Sequence, residues 1–150
     1  MGIYAINKRA TFDYELLEKL EGGLVLAGYE VKAIKTGHIS LKGAFITVKD
    51  GELYLTNAHI PAYQKANVPV NYDEYRSRKV LAKKREIDSL IGKIKQKGLT
   101  LVPIKVYSKH RLIKLEFAVG KGKTKIDKRE DIKKREANVS IRRALRGSKS

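Results

Sequence analysis

The 150-residue chain contains no cysteine. A disulfide framework and thiolate zinc sites are therefore excluded, and a reducing, cytoplasmic setting fits. It also lacks long apolar runs: none approaches the roughly 18 residues that a membrane-spanning helix needs. The N-terminal MGIYAINKRA has no charged-then-apolar signal plan. Gly2 invites an acylation reading, but position 6 is Ile rather than Ser or Thr. Catalytic signatures are scarce too. His38, His59 and His110 fall in three separate segments beside turn or loop residues, a spacing that does not suggest the convergence a ribonuclease needs. The GKGK at 120–123 has neither the length nor the terminal Ser/Thr of a phosphate loop. No His/Asp/Glu cluster has metal-ligand spacing. The reading is a protein that is not an enzyme, with no cofactor and no metal.

What is abundant is positive charge: 33 Lys/Arg against 16 Asp/Glu, a net +17. Residues 120–150 hold 12 Lys/Arg and 4 Asp/Glu, yet within 120–136 only Ile126 and Ile132 are large and apolar. Such a segment cannot bury enough surface to offset the entropy of ordering it. Residues 1–119 are basic as well, with 21 Lys/Arg and 12 Asp/Glu. Nucleic acid is the partner this charge favours, ahead of an anionic membrane. The chain divides into a body, 1–119, and a basic tail, 120–150. The tail's Ala137, Ile141, Ala144 and Leu145 lie on one stripe of a helix, so it is expected to be disordered alone and helical on a phosphate-lined partner. A membrane-surface helix is disfavoured by the short, half-alanine stripe without Trp or Phe.

In the body, TFDYELLEKLEGG (11–23) predicts a helix, capped by Asp13, striped by Leu16, Leu17 and Leu20, and stopped by Gly22-Gly23. LVLAGYEVKAIK (24–35) predicts a strand with a bulge or bend at Gly28. Residues 44–60 predict a hairpin turning at Asp50-Gly51. Residues 61–79, with Pro61 and Pro69, predict a long loop of the kind that is often functional. A helix is expected from about Arg85, carrying Ile87, Leu90, Ile91 and Ile94 on one face. Strands are expected over 99–107 and 112–119, around Ser108-Lys109-His110-Arg111. The sum is a mainly β domain, a small closed antiparallel barrel with helices at its flank. Glu30 reads either as a solvent-facing carboxylate paired with a lysine, or as an acceptor for base or backbone donors. Glu21, at the end of the expected helix, opposes the helix dipole and needs a partner. Asn7-Lys8-Arg9 beside Tyr4, Tyr14 and Tyr29 suits phosphate contact with base stacking, although most of these tyrosines are expected in the core or at the barrel rim.

An ordered set of motifs carries a resemblance over nearly the whole chain. It comprises Asn7-Lys8-Arg9-Ala10, Gly28-Tyr29-Glu30-Val31-Lys32, Asp50-Gly51, Arg76-Ser77-Arg78-Lys79-Val80-Leu81, and Arg85-Glu86-Ile87-Asp88 with Leu90. Gly120-Lys121-Gly122-Lys123, Asp127-Lys128-Arg129 and Asp131-Ile132-Lys133 complete it. In this order they resemble the small protein B (SmpB) family, the tmRNA-binding or SsrA-binding proteins of bacterial ribosome rescue. The resemblance implies an OB-fold-like barrel that holds the tRNA-like domain of tmRNA. It implies access to the A site of a stalled 70S ribosome, delivery with elongation factor Tu through the tmRNA complex, and action as a monomer in the cytoplasm. By position, Asn7, Glu21, Glu30 and Leu81 fall where the family binds tmRNA, Leu81 through packing or direct contact. Lys8, Arg9, Lys32 and Arg85 are phosphate contacts on chemical grounds. Asp127, Lys128 and Arg129 match the decoding-centre segment. Lys121, Lys123, Lys133, Lys134, Arg135, Ile141 and Leu145 complete the expected ribosome-binding tail in the empty mRNA channel. The chain has Tyr29 and Ala137 where some relatives have Trp, and Ile126 where some have His. A ribosomal structural protein or a general RNA-binding protein shares the charge and the tail, but not the ordered motifs.

Overall fold

The computed structural model describes residues 2–63, 66, 68–95, 98–123 and 129. Its elements are β1 (Ile3–Ile6), α1 (Ala10–Asp13), β2 (Tyr14–Leu24), α2 (Gly28–Lys35), β3 (Phe45–Lys49), β4 (Glu52–Thr56), β5 (Arg78–Leu81), α3 (Lys84–Ile94), β6 (Leu99–Lys109) and β7 (Leu112–Gly122). The strands form one antiparallel sheet in the order β1-β6-β7-β2-β5-β4-β3. The sheet curls until β3 packs against β6, as the expected barrel requires. Inside it lie Leu53, Leu55, Ile60, Val80, Val106, Leu115 and Phe117, with Ala33 and Ile34 of α2 and Ile87 and Leu90 of α3.

Several expectations hold. The β3–β4 hairpin turns at Asp50 (φ 52°) and Gly51 (φ 73°), the left-handed pair of a two-residue loop. In α3, Ile87 and Leu90 are buried. In β7, Ile113, Leu115, Phe117 and Val119 are buried, while Lys114 and Glu116 are half-buried.

Two neighbouring expectations are reversed. The helix expected over 11–23 shrinks to Ala10–Asp13, and the rest is β2. Strand β2 pairs with β7 from Tyr14 to Gly23 and with β5 at its end, so a helix there would strip both partners of backbone bonds. A register irregularity between Leu16 and Glu18 breaks the two-residue alternation and makes the leucines look helical. Leu17, which a helical stripe would bury, is 52% exposed. Gly22 is no stop signal: a Cβ there would lie 2.6 Å from Val80 Cγ1 and 2.9 Å from the Leu81 carbonyl, so its bareness lets β5 cross close to β2. The strand expected over 24–35 ends at Leu24, and Gly28, expected as a bulge, opens α2. The buried set Glu30, Ala33 and Ile34 has helical spacing, and the alternation of Val25, Ala27, Tyr29, Val31 and Ala33 is coincidental.

Strand β7 continues through Gly122, three residues past the boundary read from composition. Gly120 is buried, and a Cβ there would lie 2.9 Å from Val102 Cγ2.

Candidate nucleic-acid interface

Alternation along the strands sets two rows of side chains on the outer face of the sheet. Ile3, Tyr107, Lys114, Gly23 and Leu81 are successive register partners across β1, β6, β7, β2 and β5. Ile6, Lys105, Glu116 and Glu21 form the adjoining row. The Leu81 side chain lies over Gly23, where a Cβ would be 3.6 Å from Leu81 Cβ and 3.8 Å from its Cδ1, and Ile3 and Leu81 are both about half exposed. Lys105 Nζ sits 5.6 Å above the Tyr107 ring and 3.7 Å from Glu116, and Lys109 Nζ is 3.6 Å from Glu21. The Tyr107 hydroxyl donates to Glu21. That hydrogen bond is the main reason the Glu21 carboxyl is held below its ordinary range, with Lys109 and Lys114 adding to it. Burial, then the bond to Glu21, pushes the Tyr107 phenol up. The arrangement offers lysines to phosphates, one oriented carboxylate to donors, and half-exposed apolar side chains.

Glu21 is therefore on a strand of this face, not at the end of a helix, and its partner is Tyr107. Leu81 shares the face. Arg85, exposed in the first turn of α3, lies in a small cleft with Glu18 and Leu20, on the opposite face of β2 from Glu21. The structure does not bring the other expected contacts to the same place. Asn7 serves the chain itself: its Nδ2 donates to the Pro103 carbonyl at 2.8 Å, and its Oδ1 accepts from Arg9 N at 3.2 Å. Arg9 is paired with Asp13 at 3.0 Å and lies over Phe12. Lys8 and Arg9, with Lys42, line a groove of about 720 Å³ whose walls include Leu41, Phe45 and Pro103. Lys32 is exposed on α2. Of the three tyrosines read beside Asn7-Lys8-Arg9, Tyr4 packs against the core and Tyr29 meets Tyr72 edge-on.

Glu30 corrects the reading of a solvent-facing carboxylate paired with lysine, and of the other reading it keeps the backbone donor, Ala27 N, the rest of its donors being arginine and tyrosine side chains. It is fully buried, and its position is that of N3 in α2, where Oε1 accepts from Ala27 N at 2.9 Å. Arg78, equally buried, donates from Nε to Oε2 at 2.9 Å, and Arg76 grips both oxygens. The Tyr72 hydroxyl accepts from Arg78 Nη2 at 2.8 Å and lies 3.0 Å from Glu30 Oε2. Burial by itself would raise the Glu30 carboxyl. Hydrogen bonds from Arg76, Ala27 and Arg78, with the Arg78 charge, outweigh it and hold the group below its ordinary value. Burial is also the first cause that pushes the Tyr72 phenol up to about 12. A carboxylate with no exposure cannot touch RNA directly, so Glu30 acts by holding α2 to residues 72–78. Its partners stand 46 and 48 residues away, and the only hint of them in the sequence is the Arg-Ser-Arg spacing.

His38 stacks on Tyr63, His59 pairs with Glu74, and His110 sits in the β6–β7 turn. Among the described residues no group of His, Asp and Glu could hold a metal ion, and no helix is long and apolar enough to cross a membrane. Lys121 is exposed at the end of β7. Lys123 is tied to α1, its N–H donating to the Asp13 carbonyl and its Nζ to the Thr11 carbonyl. Arg129 is exposed. Ile126, Asp127, Lys128, Lys133, Lys134, Arg135, Ala137, Ile141, Ala144 and Leu145 lie outside the described residues.

Comparison with known proteins places this geometry. The chain is 49% identical over 144 residues to the SsrA-binding protein of Geobacillus kaustophilus, covering 96% of this chain and 92% of the relative. It is 47% identical over 148 residues to that of Thermosipho melanesiensis, covering 98% and 100%. A solved chain from "tmRNA-SmpB: a journey to the center of the bacterial ribosome" superposes with a TM-score of 0.65 at 42% identity, covering 85% of this chain and 92% of that one. The family model described as SmpB protein matches residues 4–147. With that match spanning both the barrel and the basic segment after it, the chain belongs to the SmpB family.

Proposed function

We propose that this protein binds the tRNA-like domain of tmRNA and accompanies it to the A site of stalled ribosomes in trans-translation. One observation carries the reading: in a chain of this family, Glu21 and Leu81 meet Lys105, Lys109 and Lys114 on a single open sheet face. Lysines spread over such a face neutralise the phosphate backbone, and the hydrogen bond from Tyr107 fixes the Glu21 carboxylate among them. Lys8, Arg9, Lys32 and Arg85 extend the phosphate contacts, while Asn7 and Glu30 contribute by holding the chain in place. Residues 120–150 read the ribosome, with Asp127, Lys128 and Arg129 at the decoding centre and the rest in the mRNA channel. A channel occupied by message would block that segment sterically. The protein acts by binding rather than catalysis, as a monomer in the cytoplasm, and meets elongation factor Tu through the tmRNA complex.

The test is filter binding of the full chain, and of a 1–123 fragment that keeps all of β7, to the isolated tRNA-like domain and to an ordinary tRNA. The full chain and the fragment should prefer the tRNA-like domain to the same degree. Lys105→Ala with Lys114→Ala should weaken binding on the order of tenfold as two phosphate contacts are lost. No preference in either protein, or a preference that disappears with the tail, would overturn the proposal.

A further inference from the structure

The 61–79 segment contributes little to the core, yet one corner of it is held firmly. Ile60 N donates to the Glu74 carbonyl and Ala62 N to Glu74 Oε2, both at 3.0 Å. Asp73 Oδ1 accepts from Tyr75 N at 2.9 Å, and the Asp73 carbonyl accepts from Arg76 N at 3.2 Å. Two side chains at this corner stay open to solvent. Tyr75 is 51% exposed, its ring 4.7 Å from the His59 ring and tilted by 32°. His59 is itself held by Glu74 Oε1 at 2.8 Å.

Arg76 is fixed from the other side. Glu30 takes its Nε at 3.2 Å and its Nη2, so the guanidinium plane is set by a buried carboxylate. Its Nη1 meets only the Ser77 carbonyl at 3.5 Å among the described residues, and the side chain is 37% exposed. Glu30 supplies one negative charge to both Arg76 and Arg78, which leaves that trio one positive charge in excess, while the carboxylates of Asp73 and Glu74 are turned to Tyr75 N, His59 and Ala62 N.

The geometry points to a second RNA-contact site, made of Tyr75, His59 and Arg76, that takes an unpaired nucleotide. The base stacks on the Tyr75 ring, backed by His59, and the phosphate receives the open edge of Arg76. A planar guanidinium that is always charged and already oriented suits a phosphate. A half-exposed ring suits only bases that are out of a helix, because those in a duplex are already stacked. The site precedes β5, whereas Leu81 of the outer face is the last residue of that strand. The inference extends the RNA-binding reading of the protein and takes from it the choice of RNA over an acidic peptide.

The full chain would be titrated with an adenosine hexanucleotide, a blunt RNA duplex and an acidic hexapeptide, following the His59 and Tyr75 ring resonances by NMR. Those resonances should shift with the single strand and not with the duplex or the peptide. Tyr75→Ala should weaken single-strand binding about tenfold and Tyr75→Phe should preserve it, since stacking needs the ring and not the hydroxyl. Arg76→Gln should flatten the salt dependence by about one phosphate contact. Repeating Tyr75→Ala with the tRNA-like domain and with 70S ribosomes tells which RNA supplies the nucleotide. Unchanged single-strand affinity in both Tyr75→Ala and Arg76→Gln, or equal shifts with the peptide, would overturn the site. Failure of the unaltered chain to prefer the tRNA-like domain would instead count against the proposed function, leaving the hexanucleotide result to decide this inference on its own.

Discussion

At Glu30, removing a single carboxylate strands two guanidiniums, one of them in Arg78 with no exposure at all. Breaking a buried ion pair by deleting one partner costs about 3–5 kcal/mol, so Glu30→Ala should lower stability by that order in urea denaturation. Any loss of RNA binding by this variant would follow from misplacing residues 72–78, because the carboxylate has no surface to offer RNA. The same group makes stability depend on pH. Its folded pKa lies below the unfolded value of about 4.3. The stabilisation is therefore complete above the unfolded pKa and is lost as pH falls through the depressed folded one. Glu30→Gln should remove this part of the acid dependence. Parallel acid denaturation curves for the two proteins would sink the assignment.

Among the elements, the β6–β7 hairpin has an unusual turn. His110 (φ 52°) and Arg111 (φ 64°) both adopt the left-handed conformation, with no glycine to ease it. That conformation costs a non-glycine residue roughly 1–2 kcal/mol, so Arg111→Gly should stabilise the protein by about 1 kcal/mol. Thermal denaturation would check this, and a lower midpoint would show that the Arg111 side chain has a stabilising role of its own. Where local chemistry decides, the elements are legible in the sequence. Asp50-Gly51 sets its own turn, and Ile87 with Leu90 marks the buried face of α3. Residues 11–35 mislead because their decisive partners are distant. Strand β2 exists because β7 and β5 pair with it, and α2 is held by Arg76 and Arg78 through Glu30. The outer face is hidden in the sequence for the same reason: Tyr107, Lys105 and Lys114 meet Glu21 only when three strands lie side by side.

For the molecule as a whole, charge and architecture divide the proposed labour. The barrel runs through Gly122, Lys123 fastens its exit to α1, and every residue of the sheet face falls before that point in the chain. Lys128→Ala with Arg129→Ala should therefore leave affinity for the tRNA-like domain within about twofold, since surface substitutions away from a site change little, while abolishing tagging on stalled ribosomes. A clear loss of affinity in filter binding would refute this division. The sequence by itself determined the high positive charge, the basic segment short of apolar residues, the two-residue hairpin turn and the ordered motifs of the family, because composition and neighbour-to-neighbour chemistry do not depend on folding. Only the tertiary structure decided that 14–24 is a strand, that Glu30 is buried between two arginines, and that Glu21 belongs with Tyr107 and Leu81. Backbone groups and charges that are removed from water must find partners wherever the closed sheet brings them, and those partners lie tens of residues away along the chain.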